Sequence, residues 1–230
     1  MSKLRSVEFA KDFRCYKAGT KIHLHAGLTL ITGENGSGKT SLVGCIRSLY
    51  KQTPWTFSDM GAEGILANEP MDKACLYIDL NMDLLRNAND MNYDYVGLQI
   101  SVMKKSAGQG AMLQLISMMG DCKHEMVILD EPERGLSEAS QFVVGKFVER
   151  FLNKYPERQI VVNTHSSIIM SILEPYSPLL VAPAFTTISA AAYKANNKRR
   201  GELMWDAYSP LLDEEDAERE SENIPQPQLD

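Results

Sequence analysis

The sequence lacks the features that mark membrane-spanning, secreted or disulfide-bonded proteins. No apolar run approaches the roughly 20 residues that a membrane-spanning helix requires, and residues 1–5 lead into no apolar segment of the kind found in secretory signals. The four cysteines are scattered and form no Cys-x-x-Cys pair. They are therefore expected to be reduced thiols in a cytoplasmic protein that has no membrane partner.

Positive charge and heptad repeats are also scarce. The net charge of −6 excludes a protein that coats nucleic acid with its whole surface, but it allows a local basic patch. No heptad pattern is sustained, so a long coiled coil is not expected. Acidic residues are concentrated near the end of the sequence, and prolines follow them. Residues 213–230 are therefore predicted to be a disordered tail behind a single domain of residues 1–212.

What the sequence does contain is an alternation of short apolar runs and helical patterns. Strands are predicted at 27–32, 126–129 and 159–163, and apolar residues at three- and four-residue steps predict helices at 41–50 and 138–152. Strand–helix–strand order of this kind indicates an α/β fold with a mainly parallel core sheet and flanking helices.

The first part of the chain and the interval after the first helix have a different character. Residues 21–25 alternate between polar and apolar and predict a strand of an N-terminal antiparallel β portion. Residues 51–125 are expected to form an insertion or helical lobe. Within that interval, strand candidates lie at 74–80 and 95–102, and a helix is predicted to begin near Gly108.

A glycine-rich segment between a predicted strand and a predicted helix carries the first chemical signal. Residues 33–40 read Gly-Glu-Asn-Gly-Ser-Gly-Lys-Thr, the full pattern of a phosphate-binding P-loop. Its glycines let backbone N–H groups turn inward around phosphates; Lys39 would reach the β- and γ-phosphates of ATP, and the Thr40 hydroxyl would bind Mg²⁺. A chance glycine-rich turn is the alternative. The candidate nucleotide-binding residues are Gly33, Glu34, Asn35, Gly36, Ser37, Gly38, Lys39, Thr40 and Ser41.

A second signal follows the apolar strand predicted at 126–129. The strand leads into Asp130, Glu131 and Pro132. A carboxylate in the position of Asp130 is placed to hold Mg²⁺, and the adjacent Glu131 is placed to accept a proton from an attacking water. The alternative is an exposed acidic loop after a core strand.

With these motifs the chain resembles the ABC-type ATPases, and most of all their soluble SMC/RecF/OLD-like branch. The segment Asp12–Arg14 is similar to the Asn-Phe-Arg segment that opens those proteins, and residues 129–132 have their Leu-Asp-Glu-Pro form. Residues 163–166, Asn-Thr-His-Ser, are similar to the segment that carries their switch histidine. The resemblance covers about residues 4–175.

The resemblance implies a compact ABC-type P-loop NTPase head that binds ATP and Mg²⁺ and hydrolyses ATP. Lys39, Glu131 and His165 would then be the catalytic residues, with His165 sensing the γ-phosphate, and Arg14 would contact the nucleotide. It also implies a head-to-head homodimer with ATP at the interface.

The dimer would depend on a signature segment, for which residues 105–109 are the closest match. Ser106, Gly108 and Gln109 fit the family sequence Leu-Ser-Gly-Gly-Gln, whereas Lys105 and Ala107 depart from it. In the family this segment contacts the ATP held by the other subunit. The glutamine of the family's Q-loop has no clear counterpart, since neither Gln52 nor Gln99 is well positioned.

Several functions remain open from the sequence. The chain can be the ATPase of a DNA-repair, DNA-processing or bacterial or phage conflict system with a further protein partner, an ATP-gated binding module with little turnover, or a transporter ATPase subunit. The basic cluster of Lys194, Lys198, Arg199 and Arg200 is either a DNA contact or a surface that is solvated or docks the acidic tail. His23 and His25 are either metal ligands or part of an exposed strand face.

Overall fold

The computed structural model describes residues 3–50, 65–67, 75–79, 107–120 and 122–222. Its strands are β1 (Ser6–Phe9), β2 (Lys21–His23), β3 (Leu28–Gly33), β4 (Ile65–Ala67), β5 (Leu76–Asp79), β6 (Met126–Asp130), β7 (Gln159–Asn163), β8 (Leu179–Ala182) and β9 (Thr186–Ile188). Its α-helices are α1 (Lys39–Ser48), α2 (Ala107–Gly120), α3 (Glu138–Lys154), α4 (Ser167–Leu173) and α5 (Ala190–Glu222), and a 3-10 turn follows α4 at Glu174–Tyr176.

The larger sheet has the strand order β5-β6-β7-β3-β8-β9. The strands β5, β6, β7, β3 and β8 run parallel to one another, and β9 runs antiparallel to β8 at the edge. Strands β3, β6 and β7 are buried along their whole length, which explains why they read as continuous apolar runs rather than as alternating ones. Because these neighbours are parallel, the segments that follow them meet at one edge of the sheet.

A smaller antiparallel sheet has the order β2-β1-β4. Side chains of β1 and β2 share a buried cluster with the central strands and α1: Phe9, together with Tyr16 from the segment between β1 and β2, packs with Ile31, Leu42 and Ile128 in that cluster. The α/β fold, the mainly parallel sheet, the flanking helices and the N-terminal antiparallel portion are therefore confirmed. The strand candidate at 95–102 lies outside the described residues.

Helix α3 begins as predicted but buries a different stripe from the one its periodicity suggests. Ser137 caps the helix by accepting a hydrogen bond from the Ser140 N–H. The buried stripe includes Val144, Val148 and Phe151, whereas Phe142 is half exposed. The apolar residues of α3 occupy two faces, so spacing alone could not identify the one that packs against α4.

Helix α5 differs most from the sequence-based prediction. It continues through residues 213–222, which were predicted to be a disordered tail, and residues 223–230 lie outside the described part. The chain divides after Ala190 into two compact units rather than after residue 212. Residues 213–222 contain five glutamates, an alanine and an arginine, which favour a helix despite the net charge. None of the described helices is long and apolar enough to cross a membrane.

Candidate active site

The P-loop connects β3 to α1, and its geometry requires glycine at position 38. Gly38 has φ +96°, in the left-handed region that residues with a Cβ rarely adopt. A Cβ there would also clash with the Sγ atom of Cys15 and lie 2.9 Å from the Tyr16 Oη. The backbone can therefore turn into α1 only because no side chain is present.

Tyr16 supports this turn from the N-terminal β portion. Its hydroxyl donates a hydrogen bond of 2.8 Å to the Gly38 carbonyl, and its ring stacks on Phe9 with 4.3 Å between centroids. Burial raises the pKa of Tyr16, so its hydroxyl keeps its proton and remains a donor. The sequence analysis did not identify Tyr16, because nothing in the local pattern distinguishes it from other core aromatics.

Lys39 is a buried lysine among carboxylates. Its Nζ donates a hydrogen bond of 2.6 Å to the Glu34 carbonyl within the loop. Burial lowers the pKa of Lys39, and the negative charges of Glu131 and Asp130 oppose that shift. The lysine is therefore held at the loop as a cation whose hydration has largely been removed, which favours an anionic ligand.

A pocket of about 340 Å³ opens beside the P-loop. It brings together residues from three separate predicted motifs: the P-loop, the Asp12–Arg14 segment and the acidic loop after β6. Arg14, with φ 52°, reaches across to donate a hydrogen bond of 2.9 Å to the Ser41 hydroxyl. The lining residues are Arg14, Cys15, Asn35, Gly36, Gly38, Lys39, Thr40, Ser41 and Glu131.

Asp130 is the last residue of β6 and is held by two neighbouring strands. The Asn163 amide donates a hydrogen bond of 2.6 Å to one carboxylate oxygen, and the Tyr77 hydroxyl donates one of 3.0 Å to the other. Burial raises the pKa of Asp130, although these two hydrogen bonds oppose the shift. Tyr77 itself carries the Arg47 guanidinium over its ring at 4.3 Å. Tyr77 and Asn163 are site residues for which the sequence analysis proposed no role.

Glu131 adopts a strained backbone conformation at the edge of the pocket. Its φ is 48°, which is uncommon for a residue with a side chain. Its N–H donates a hydrogen bond of 2.9 Å to the Asn163 carbonyl, which fixes the turn after β6. One carboxylate oxygen of Glu131 lies 3.7 Å from the His165 Nε2. The predicted base and the predicted switch histidine are therefore neighbours.

Glu133 fixes the loop that carries His165. One of its carboxylate oxygens accepts a hydrogen bond of 2.7 Å from the Thr164 hydroxyl, and the other accepts one of 2.6 Å from the His165 N–H. Thr164 is fully buried, and its hydroxyl oxygen also accepts from the Ser166 N–H. Glu133 could not be identified from the sequence, because the contact joins two loops whose residues are 31 positions apart.

The residues of this site fit a phosphate group. The Ser37 hydroxyl is buried in the P-loop and has no hydrogen-bond partner within the described part of the chain. The first intrahelical bond of α1 runs from the Leu42 N–H to the Gly38 carbonyl, which leaves the N–H groups of residues 39–41 without an intrahelical acceptor. These N–H groups, the helix dipole and Lys39 together form an anion site.

The oxygen ligands also fit Mg²⁺. The Thr40 hydroxyl lines the pocket, and the Asp130 carboxylate retains lone pairs beyond its two hydrogen bonds. A cluster of three or more His, Cys, Asp or Glu residues arranged for metal binding does not occur among the described residues. His23 and His25 are exposed, and neither belongs to a metal-binding cluster among the residues that the structure describes.

The predicted signature segment is only partly described. Ser106 lies outside the described residues, as do Gln52 and Gln99. Gly108 and Gln109 lie in the first turns of α2. Their contact with nucleotide in a second subunit remains a prediction.

Comparisons with known proteins agree with this geometry. A family model described as an AAA domain matches residues 10–63, which include the P-loop and Arg14. The solved structure of a nucleotide-free ATP-binding cassette from an ABC transporter is similar, with a TM-score of 0.50, 18% identity and coverage of 82% of this chain and 90% of that chain.

The structure of cbiO1 from Clostridium perfringens, part of the ABC transporter complex cbiONQ, has a TM-score of 0.50 and 16% identity over 92% of this chain and 100% of that chain. No curated protein matches. These similarities show that the chain has the fold of ABC-type P-loop ATPases.

Proposed function

We propose that this chain binds ATP with Mg²⁺ and hydrolyses it to ADP and phosphate. One observation carries the proposal: the Glu131 carboxylate lines the same pocket as Lys39 and Thr40. A carboxylate beside a phosphate-binding loop would weaken phosphate binding if binding were the only task, because like charges repel. Its position is useful when a water must lose a proton next to the γ-phosphate.

Binding is assigned to the P-loop. Lys39 leaves the Glu34 carbonyl and contacts the β- and γ-phosphates, while the N–H groups at the start of α1 and the Ser37 hydroxyl donate to phosphate oxygens. Thr40 and Asp130 would hold Mg²⁺, which would neutralise charge on the phosphate oxygens when bound. Arg14, which lines the same pocket, supplies a further positive charge.

Hydrolysis is assigned to Glu131 and His165. Glu131 accepts a proton from a water while the water oxygen forms a bond to the γ-phosphorus. The bond between the γ-phosphorus and the bridging oxygen breaks, and ADP keeps that oxygen. His165, 3.7 Å from the Glu131 carboxylate, contacts the γ-phosphate and keeps the attacking water between the two side chains.

The wider role follows from the resemblance of the motifs. The proposed active form is a head-to-head homodimer in the cytoplasm, in which residues 106–109 of each subunit contact the ATP of the other. The proposed process is DNA repair, DNA processing or a bacterial or phage conflict system, with a further protein partner. The resemblance of residues 12–14 to the opening of SMC/RecF-like proteins is the reason for proposing this branch rather than a transporter subunit, and Arg14 of that segment lines the pocket. The similar transporter cassettes support the shared fold only.

The experiment that tests the proposal measures ATP binding, turnover and mass on the same variants. Glu131→Gln is expected to bind ATP, to lose turnover by at least about 100-fold and to accumulate as the head-to-head pair, seen in light scattering as a mass increase when ATP is added. Lys39→Ala is expected to lose ATP binding. Glu138→Gln, an exposed glutamate at the start of α3, is the matched control and is expected to behave as wild type.

Each result separates one part of the proposal from the rest. Unchanged turnover in Glu131→Gln would remove Glu131 as the base, and unchanged binding in Lys39→Ala would remove the nucleotide site. Tight ATP binding by wild type without multiple turnover would favour the ATP-gated binding module instead. Stimulation of turnover by duplex DNA, absent with a vesicle preparation, is the expected result for the DNA-processing role.

A further inference from the structure

Helix α5 exposes an apolar patch that its own unit does not cover. The patch consists of Leu203, Met204, Trp205 and Tyr208, which we call the α5 apolar patch, and each side chain is 60–63% exposed. On a helix with 3.6 residues per turn, Met204, Trp205 and Tyr208 share one face and Leu203 lies at its margin. A tryptophan, a tyrosine, a methionine and a leucine concentrated in six positions of one exposed helix indicate a contact surface.

The charges of α5 are divided between its two ends. Residues 194–200 contain Lys194, Lys198, Arg199 and Arg200 and no acidic residue, whereas residues 212–218 contain five acidic residues and no basic one. This order opposes the helix dipole, which favours acidic residues near the N-terminus and basic residues near the C-terminus. Within α5, Lys198 contacts Glu202 at 3.8 Å. The separation of the basic and acidic segments favours a partner in which their order is reversed.

A second copy of α5 in antiparallel orientation complements both features. A two-fold axis near residue 206 would set Met204 of one copy against Tyr208 of the other, so that the two apolar patches meet at the centre. The same axis would place residues 194–200 of each copy beside residues 212–218 of the other, which joins basic to acidic segments twice. A parallel pair would instead place basic on basic and acidic on acidic.

We propose that α5 pairs with α5 of a second copy of this chain, antiparallel and without nucleotide. The interface is isologous and closes at two chains, because each copy presents the same self-complementary surface. The 33 residues of α5 rise about 50 Å along the helix, enough for the apolar centre and both charged segments, with Pro210 between that centre and the acidic segment. A proline inside a helix lacks the N–H for one intrahelical hydrogen bond and bends the helix, so the pair is expected to be bent there. This contact is separate from the head-to-head contact proposed above and does not depend on ATP.

Sedimentation equilibrium of the full chain without nucleotide tests the apolar centre. Wild type is expected to dimerise, and Trp205→Ser is expected to weaken the dimer about 30-fold, the effect of truncating a central aromatic anchor. Phe142→Ser is the control, because Phe142 is an aromatic residue that is 50% exposed on a different helix, and it should leave the dimer unchanged. Unfolding curves of both variants report whether each remains folded.

Charge exchange tests the orientation. The double variants Lys194→Glu with Lys198→Glu, and Glu214→Lys with Glu218→Lys, should each be largely monomeric, and an equimolar mixture of the two should form a heterodimer. Added salt should weaken the wild-type dimer, because it screens attraction between opposite charges. A parallel pair would be strengthened by salt, since its like charges repel.

Four outcomes would overturn the proposal. They are a wild type that stays monomeric without nucleotide, a dimer that Trp205→Ser leaves intact, a mixture of charge variants that does not associate, and association only with added DNA. A dimer that forms only with ATP would also reject the α5 contact while leaving the proposed ATPase mechanism standing. Absence of ATP turnover with the nucleotide-free dimer intact would instead reject the proposed ATPase mechanism and leave the α5 contact standing.

Discussion

Removing the Glu133 carboxylate tests whether hydrogen bonds to the loop after β6 hold the loop after β7 in place. In Glu133→Ala, the Thr164 hydroxyl loses the acceptor at 2.7 Å and the His165 N–H loses the acceptor at 2.6 Å. Thr164 is buried, so its hydroxyl proton has no water to replace the lost carboxylate. The His165 backbone is more accessible, and water can replace its acceptor.

The expected loss in the free energy of unfolding follows from the burial of the Thr164 hydroxyl and the accessibility of the His165 N–H. A hydrogen bond to a charged acceptor contributes about 1.5–3 kcal/mol, and a buried donor left without a partner costs about 1–3 kcal/mol. Because the His165 N–H can be solvated, we expect Glu133→Ala to lower the free energy of unfolding by about 2–3 kcal/mol in total. Glu133→Gln keeps one carbonyl oxygen of the same shape and should lose about 1 kcal/mol.

The rate of ATP hydrolysis in Glu133→Ala should fall by more than the loss of folded protein alone explains. His165 would move away from the position beside Glu131, and small misplacements of a catalytic group reduce rates by about 10- to 100-fold. We therefore expect kcat for ATP hydrolysis to fall at least about 10-fold. The KM for ATP should change little, since Glu133 does not line the phosphate pocket.

Urea unfolding and steady-state ATPase measurements on the same preparations give both quantities. A double-mutant cycle of Glu133→Ala with Thr164→Val should show a coupling energy of about 1 kcal/mol or more, since the two side chains are in direct contact. Glu138→Ala, exposed at the start of α3, should change the free energy of unfolding by less than about 1 kcal/mol. Additive effects in the cycle together with wild-type kcat in Glu133→Ala would show that Glu133 does not position the histidine loop.

Three further predictions concern the backbone and the charges of the pocket. Gly38→Ala should abolish ATP binding and destabilise the fold. Cys15→Ala should not rescue it, because the 2.9 Å approach to the Tyr16 Oη and the φ of +96°, which is unfavourable by about 1–2 kcal/mol, both remain. Gly27→Ala, with open space at its Cβ, is the control and should be nearly neutral by calorimetry. Glu131→Asn should be more stable than Glu131→Gln by about 0.5–1 kcal/mol in urea, because asparagine tolerates the left-handed conformation better, while both lose turnover; equal stabilities would show that φ 48° stores no strain. The raised pKa of Asp130 means that the folded state binds this proton more tightly than the unfolded state, in which the pKa is near the ordinary 3.8. The free energy of unfolding of wild type without nucleotide should therefore fall, relative to that of Asp130→Asn, as pH rises from about 3.8 through the folded-state pKa, and then level off. Parallel plots of this free energy against pH for the two proteins would contradict the prediction.

The sequence identified the parts of the site that are contiguous. The P-loop, Asp130, Glu131 and His165 each lie within a few residues of a strand end, so the motif and its strand could be recognised together. Their convergence also followed, since β6, β7 and β3 are adjacent and parallel. The structure places Glu131 and His165 3.7 Å apart, although 34 positions separate them in the sequence.

The parts that sequence reasoning missed are contacts between segments. Tyr77 reaches Asp130 from the next strand, Tyr16 holds Gly38 from the antiparallel portion, and Glu133 binds a loop 31 positions away. None of these side chains belongs to a local pattern, and their roles depend on strand order, which spacing does not fix. The end of α5 was mispredicted for a different reason, because a dense acidic run is compatible with either a helix or a disordered chain.

The nucleotide-free pocket concentrates unfavourable energy in a few residues. Glu131 has a strained backbone, Lys39 is desolvated, the Asp130 carboxylate is buried, and the Ser37 hydroxyl has no partner within the described chain. Phosphate and Mg²⁺ would relieve the last three, because they supply anionic charge to Lys39, a cation to Asp130 and an acceptor to Ser37. A ligand that relieves such costs stabilises the fold in proportion to its occupancy, by RT ln(1 + [L]/Kd). The positive φ of Glu131 is a backbone cost that no charge or hydrogen bond from phosphate or Mg²⁺ directly offsets. Strain of this kind is typical of side chains positioned for a chemical step rather than for binding.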